Sequence, residues 1–231
     1  MSRNSAWERK RVQVSTSVPM DSCLILPQSK NPEELLLLLH GFAETGERFL
    51  QKILPAIPDT LLSRSAVLAP NAPFLMPVKA ESQYLATFSW YFYDPTTDEY
   101  FIDMKPAVEF LRNGLKELQF LDLPLRIIGF SQGGFLAPIA ATQFSNMKQL
   151  IGIGCEYLID EIPGHPPSNV PYRVDAIHGA LDESVSPERA KHSHDRLMSQ
   201  GVLGSFTLLQ GSGHRIDEAT RLALRSVLAL A

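Results

Sequence analysis

Leu125-Arg126-Ile127-Ile128-Gly129-Phe130-Ser131-Gln132-Gly133-Gly134 carries the strongest structural signal in the chain. The short apolar run Leu125, Ile127, Ile128 leads into Gly-Phe-Ser-Gln-Gly, and a helix-patterned run follows. This is the G-x-S-x-G pattern in a strand–turn–helix setting. Such a turn is so tight that the residues flanking the serine must be tiny. Gly129 and Gly133 let strand and helix approach, and Ser131 is left on a strained bend with its Oγ exposed. A bare G-x-S-x-G also arises by chance in Gly- and Ser-rich loops, so its weight depends on what stands elsewhere in the chain.

Outward from this turn, Leu35 to Leu39 form an unbroken apolar run ending in His40-Gly41. Such a run suits a central parallel strand covered on both faces. Similar runs recur at residues 66–69, 125–128, 150–153, 172–177 and 205–209. Helix-period segments lie between them. Phe49, Leu50, Ile53 and Leu54 mark one apolar face; Val108, Leu111, Leu115 and Leu118 mark another, behind Asp103 as an N-cap. Gly114 costs that helix about 1 kcal/mol relative to Ala. Ser186-Pro187-Glu188 reads as N-cap, first-turn proline and acidic first turn, with Gly201 as a stop. A last helix over 216–230 turns Ala219, Leu222, Ala223 and Val227 inward and sets Asp217 and Arg221 as an i,i+4 pair. Pro138, inside the helix after the turn, predicts a kink or an early end.

Strands alternating with helices give a mostly parallel central sheet with right-handed crossovers and helices on both faces, an α/β class. Residues 12–18 and 22–26 are expected to pair as an antiparallel edge. Residues 71–100, rich in Pro and aromatics, and 159–171, with four prolines, take no regular assignment. Long loops of this kind are often functional.

A length of 231 residues without a low-complexity break points to one α/β domain over 1–231. Hydrophobic residues at 45% suffice to cover both faces of a buried sheet. The formal net charge of −4 argues against a nucleic-acid partner, which favours a basic surface. No apolar stretch approaches the roughly 20 residues of a membrane span. The first 18 residues, charged through Arg3, Glu8, Arg9, Lys10 and Arg11, lack the apolar core of a signal peptide. Cys23 and Cys155 are far apart with no CxxC, and read as free thiols of a reducing cytoplasm.

A serine hydroxyl becomes a nucleophile when a histidine takes its proton and an acid orients that histidine. On α/β scaffolds of this kind the chain order is Ser, acid, His. Ser131 is followed by Asp182, in His178-Gly179-Ala180-Leu181-Asp182 just past the 172–177 strand, and then by His214 in Gly211-Ser212-Gly213-His214. All three fall at the carboxyl ends of strands, where open α/β sheets place their sites. Asp217 is the rival acid, close to His214 but on the last helix; Asp175 lies inside a strand. A fourth piece is His40-Gly41-Phe42, after the first buried strand. There the backbone N–H of Phe42, with that of Gln132, is placed to bind a developing oxyanion.

The other histidines take plainer readings. His178 ends a strand and packs or bonds locally. His192 and His194, two apart on a helix, point to different faces, and His194 shares its face with Ala190, Leu197 and Met198. His165 has no Asp, Glu or Cys partner at metal spacing. No metal site and no cofactor are expected.

At these residues the chain resembles the phospholipase/carboxylesterase family of small serine hydrolases, which includes the acyl-protein thioesterases. The matching pieces are Leu39-His40-Gly41-Phe42-Ala43-Glu44-Thr45-Gly46, Ala69-Pro70-Asn71-Ala72-Pro73, Gly129 to Gly134, His178-Gly179 with Asp182 and Val185, and Gly213-His214. Ala43 and Glu44 stand where the family's first loop commonly has Gly and Asp. Ser89-Trp90-Tyr91-Phe92-Tyr93-Asp94 matches its Trp-Phe-Asp stretch loosely. The resemblance implies an α/β-hydrolase fold without a large lid domain, acting without a cofactor on carboxylic esters or thioesters.

The expected chemistry is therefore that of a serine carboxylesterase on a small-molecule or lipid-like acyl ester. Phe42, Leu75, Met76, Trp90 and Phe92 are the candidates for an apolar acyl pocket. A thioesterase or lysophospholipase, or a serine peptidase or amidase on the same scaffold, would share every motif named. A non-catalytic binding protein is the alternative of another class, though no triad residue is missing. Exposed apolar loops leave a homodimer open.

Overall fold

The computed structural model describes residues 17–92, 103–157 and 171–229. The leucines at 35–39 fill β2 (Glu34–Leu39), and all are fully buried. Successive strand residues point to opposite faces, so Leu35, Leu37 and Leu39 enter one core cluster and Leu36 and Leu38 the other. The other strands are β1 (Ser22–Ile25), β3 (Ser65–Pro70), β4 (Phe74–Ala80), β5 (Gln83–Ser89), β6 (Leu125–Phe130), β7 (Met147–Ile153), β8 (Arg173–Gly179) and β9 (Phe206–Leu209). A seven-stranded sheet runs β1-β3-β2-β6-β7-β8-β9, and β4 pairs with β5 separately. Only β1 runs antiparallel to its neighbour within the large sheet. This is the mostly parallel central sheet expected from strands alternating with helices.

Helices α1 (Gly46–Ile53), α2 (Asp59–Leu62), α3 (Lys105–Glu117), α4 (Gln132–Ala141), α5 (Pro187–Ser199) and α6 (Glu218–Ala229) cover both faces. Leu111 and Leu115 of α3, Leu136 of α4 and Leu197 of α5 pack with the odd leucines of β2. Phe49 and Ile53 of α1 and Leu224 and Val227 of α6 pack with the even ones. Each fully buried leucine contributes about 1.5–3 kcal/mol relative to an exposed one.

At the amino ends of the strands a buried polar row crosses the sheet. Arg126 Nε donates to Glu34 Oε2 at 2.8 Å, and Arg126 Nη1 to Gln149 Oε1 at 2.6 Å. Gln149 Nε2 donates to Asp175 Oδ2 at 2.7 Å, and Ser205 Oγ to Asp175 Oδ1 at 2.7 Å. Arg64 closes one end on Glu34 at 2.9 Å, and Arg173 the other on Asp175 at 2.8 Å.

Several sequence expectations change. Residues 71–100 are not without regular structure: 74–89 carry the β4–β5 hairpin, with Glu81 at φ +50 in its turn. Pro77 hid the strand, yet it sits on a strand that pairs only with β5, and it is exposed there, as strand prolines require. Residues 93–102 and nearly all of 159–171 lie outside the described residues, as do 12–16. β1 finds its antiparallel partner in β3. Asp103 accepts from the Lys105 N–H at 3.1 Å, although Met104 holds the N-cap position itself. The Gly114 gap makes room for the Met20 thioether, which a Cβ there would strike at 2.1 Å. α4 carries Pro138 and ends at Ala141. Arg221 pairs with Glu218 at 2.7 Å rather than with Asp217, whose carboxylate caps α6 through the Thr220 N–H at 3.0 Å. Burial pushes the Asp217 carboxyl up, but hydrogen bonds from the Thr220 N–H, Ser212, Arg215 and the Thr220 hydroxyl together bring it down to about 2.

Candidate active site

Ser131 links β6 to α4 with φ +49 and ψ −119, a backbone region that side-chain-bearing residues rarely adopt. Such a conformation costs about 1–3 kcal/mol and persists only where its surroundings hold it. Here they do. A Cβ on Gly129 would lie 2.5 Å from the Gly133 oxygen, and one on Gly133 would lie 2.2 Å from the Leu39 oxygen. The Ser131 N–H donates to Ile153 O at 2.9 Å. The tight turn thus aims Oγ off the carboxyl end of the sheet, at the positive end of α4.

His214 meets it there. Its Nε2 lies 2.9 Å from Ser131 Oγ, and its Nδ1 lies 2.7 Å from Asp182 Oδ2. A carboxylate only accepts, so Nδ1 carries the hydrogen and Nε2 presents its lone pair to the serine hydroxyl. Asp182 is buried, and its other oxygen accepts from the Ser184 and Val185 N–H groups, both at 2.9 Å. The His214 ring lies against Phe130, with centroids 5.0 Å apart. Gly154, at φ +59, borders the His–Asp contact closely; a Cβ there would sit 3.2 Å from His214 Nδ1 and 3.5 Å from Asp182 Oδ2. This is the relay that a nucleophilic serine needs.

The loop after β2 is braced on three sides. His40 is fully buried; its Nδ1 donates to Gly41 O at 2.7 Å, and its Nε2 accepts from the Ala72 N–H at 3.1 Å. Burial outweighs the Gly41 hydrogen bond and the Glu44 charge and brings its pKa down to about 4, so it is a neutral strut at ordinary pH. Asn71 Oδ1 accepts from the Gly46 N–H at 2.9 Å. The Phe88 N–H donates to Glu44 O at 2.9 Å, tying this loop to the hairpin. Ala43, where the resembling family commonly has Gly, takes φ +53.

The structure brings together Ser131, His214 and Asp182, the residues singled out from sequence. Gln132 opens α4, whose first N–H groups lack intrahelical partners, and Phe42 stands exposed after Gly41. Leu75 and Phe92 are exposed, Met76 is half-buried, and the rings of Phe74 and Phe92 lie 4.9 Å apart.

Trp90 is the correction: it is 0% exposed, and its indole N–H donates to His40 O at 2.9 Å. It supports the first loop from beneath rather than lining open space. The Gln132 side chain is the feature that sequence reading missed. Its Oε1 accepts from the Trp90 N–H at 2.9 Å, and its Nε2 donates to Tyr91 O at 2.7 Å. A polar side chain directly after the serine, buried by its position, was the available signal. His178 joins Asp182 as well, at 3.3 Å. His194 is buried on Val174 O. Among the described residues no group of His, Cys, Asp or Glu is placed to hold a metal ion, and no helix is long and apolar enough to cross a membrane. Cys23 and Cys155 are free thiols, and burial pushes the Cys155 thiol up, out of its reactive range.

A family model described as serine hydrolase (FSH1) matches residues 30–216. Among solved structures, esterase PE8 superposes with a TM-score of 0.72 at 21% identity, covering 92% of this chain and 99% of its own. Acyl-protein thioesterase 2 of Zea mays gives 0.68 at 19% identity, covering 91% and 98%. SOBER1 of Arabidopsis thaliana gives 0.62 at 22% identity, covering 85% and 98%. At such identities the likeness is one of fold. No curated protein matches the chain.

Proposed function

The chain belongs to the FSH1 serine hydrolase family, and we propose that it is a serine carboxylesterase hydrolysing short-to-medium acyl esters or thioesters through Ser131, His214 and Asp182. The observation that carries this reading is the continuous contact from Ser131 Oγ to His214 to Asp182, at 2.9 and 2.7 Å. His214 takes the serine proton as Oγ attacks the acyl carbon, and Asp182 holds the resulting imidazolium. The backbone N–H groups of Phe42 and Gln132 bind the oxyanion; losing one such donor typically costs about 10²–10³ in rate. His214 then returns the proton to the leaving alcohol or thiol, and water cleaves the acyl-enzyme by the same steps in reverse.

Esters and thioesters are favoured over amides on the names of the fold neighbours, an esterase and an acyl-protein thioesterase. Exposed Phe42, Leu75 and Phe92, with Met76 beside them, supply the apolar contact for the acyl chain. The reading includes a cytoplasmic location, supported by the two free thiols.

The test is a series of acyl esters and thioesters assayed side by side with wild type and Ser131→Ala. Each buried acyl CH₂ contributes about 0.8 kcal/mol at most, so going from two to six carbons should raise kcat/KM by up to roughly 200-fold. Hydrolysis of amides at rates matching the esters would move the assignment to a peptidase or amidase.

A further inference from the structure

We infer that His178 is a positioning residue for the acid of the triad: from the end of β8 it braces the turn that carries Asp182 and sets an N–H beside the carboxylate oxygen that His214 uses. The inference rests on the triad reading above.

His178 is buried, and its Nε2 lies 3.0 Å from Val185 O. A carbonyl oxygen only accepts, so Nε2 carries the hydrogen. The Val185 N–H in turn donates to Asp182 Oδ1 at 2.9 Å. His178 therefore grips the far end of a turn whose near end is the acid. The same Nε2 lies 3.3 Å from Asp182 Oδ2, the oxygen that accepts from His214 Nδ1. The ring is fixed by parallel stacking on Phe206 of the neighbouring strand, with centroids 6.3 Å apart and planes 13° apart. The donor is thus held in place rather than free to swing away.

Two consequences follow from that placement. The brace keeps Asp182 aligned on His214, which acts on kcat. The N–H beside Oδ2 also draws negative charge from the oxygen, and so tempers how strongly Asp182 holds an imidazolium. Among the described residues, the charged and titratable groups facing His178 are Asp182 on its own loop, His214 beyond it, and Glu188 of α5. The Ser186 hydroxyl, its own backbone N–H and, more weakly, His178 hold the Glu188 carboxyl below its usual range. Lys191 of α5 lies over the Phe206 ring at 5.9 Å.

The experiment compares full-length His178→Phe, which keeps an aromatic ring against Phe206 but has no N–H, with His178→Gln, which keeps a donor. The pH profile of kcat/KM on p-nitrophenyl butyrate, kcat and KM at the plateau, and the denaturant midpoint are measured for each. For His178→Phe the expected result is an acid limb moved to higher pH by roughly half a unit and a kcat lowered about fivefold, with KM little changed. His178→Gln should recover most of both. An unmoved limb and unchanged kcat in His178→Phe would overturn the inference, even if its midpoint falls, because packing alone would then explain the residue. Ser131→Ala in the same assay separates the two failures. If it still turns over, the triad reading falls and this inference with it. If it is inactive while the His178→Phe profile stays put, only the role of His178 is lost.

Discussion

At the amino ends of β2, β6, β7 and β8, Glu34, Arg126, Gln149 and Asp175 form a buried row, while at the carboxyl ends Ser131, Asp182 and His214 form another. Both rows use acids with nitrogen donors at 2.7–2.8 Å. They differ in closure. Along the first row each carboxylate meets a cation, on strands in relaxed extended geometry. The second is seated on a strained Ser131 and on loops that need glycine, and leaves the serine and imidazole half-buried, open to a reactant. Buried charge alone therefore marks no site; what sets the second row apart is a buried acid whose histidine reaches a half-buried, strained hydroxyl.

Neutralising one acid in each row should separate the two ends most clearly. Asp182→Asn should lower kcat by up to about 10⁴ with little change in the denaturant midpoint, by analogy with the acid of other triads. Asp175→Asn should lower the midpoint and leave the turnover of the folded enzyme near wild type. If Asp175→Asn proved the more damaging to kcat, the two ends would not divide labour as described.

Next in size is Arg126→Met. Removing the cation leaves Glu34 buried without its closest partner, and breaking such a pair typically costs about 3–5 kcal/mol. A chemical denaturation curve reads this directly. A loss well under 1 kcal/mol would mean that Arg64 and Lys148 suffice for Glu34.

His40 gives a smaller, pH-dependent effect. Its folded value of about 4 lies below the ordinary 6.5, so between those values the unfolded chain takes up a proton that the native state refuses. Stability present above pH 6.5 should fall as the pH drops to about 4, by about 3 kcal/mol in all. Denaturant midpoints across that window, compared with those of His40→Asn, measure it; an equal slope in the variant would place the acid sensitivity elsewhere.

Much of this was legible in the sequence, for local reasons. The leucines at 35–39 announce a strand with two covered faces, and Gly129, Ser131 and Gly133 announce the tight turn, because each needs only its chain neighbours to be read. The order Ser131, Asp182, His214 follows from strand ends alone. What stayed hidden depends on distant partners. Trp90 reads as pocket lining until His40 O, 50 residues away, is seen to take its N–H. The polar row draws on six segments that meet only when the sheet forms. The β4–β5 hairpin was masked by Pro77, which breaks the strand pattern but not an edge strand. Asp217 and Arg221 had the right spacing for a pair, but the N-terminus of α6 claims the carboxylate first.

If Ser131 is the nucleophile, a fluorophosphonate will label it. Wild-type protein and Ser131→Ala are treated with the probe, and intact mass and peptide mapping locate the adduct. The expected result is a single adduct on the peptide carrying Ser131, full loss of ester hydrolysis with it, and no adduct on Ser131→Ala. An adduct at another serine, or an Ala variant that still labels and hydrolyses, would contradict it.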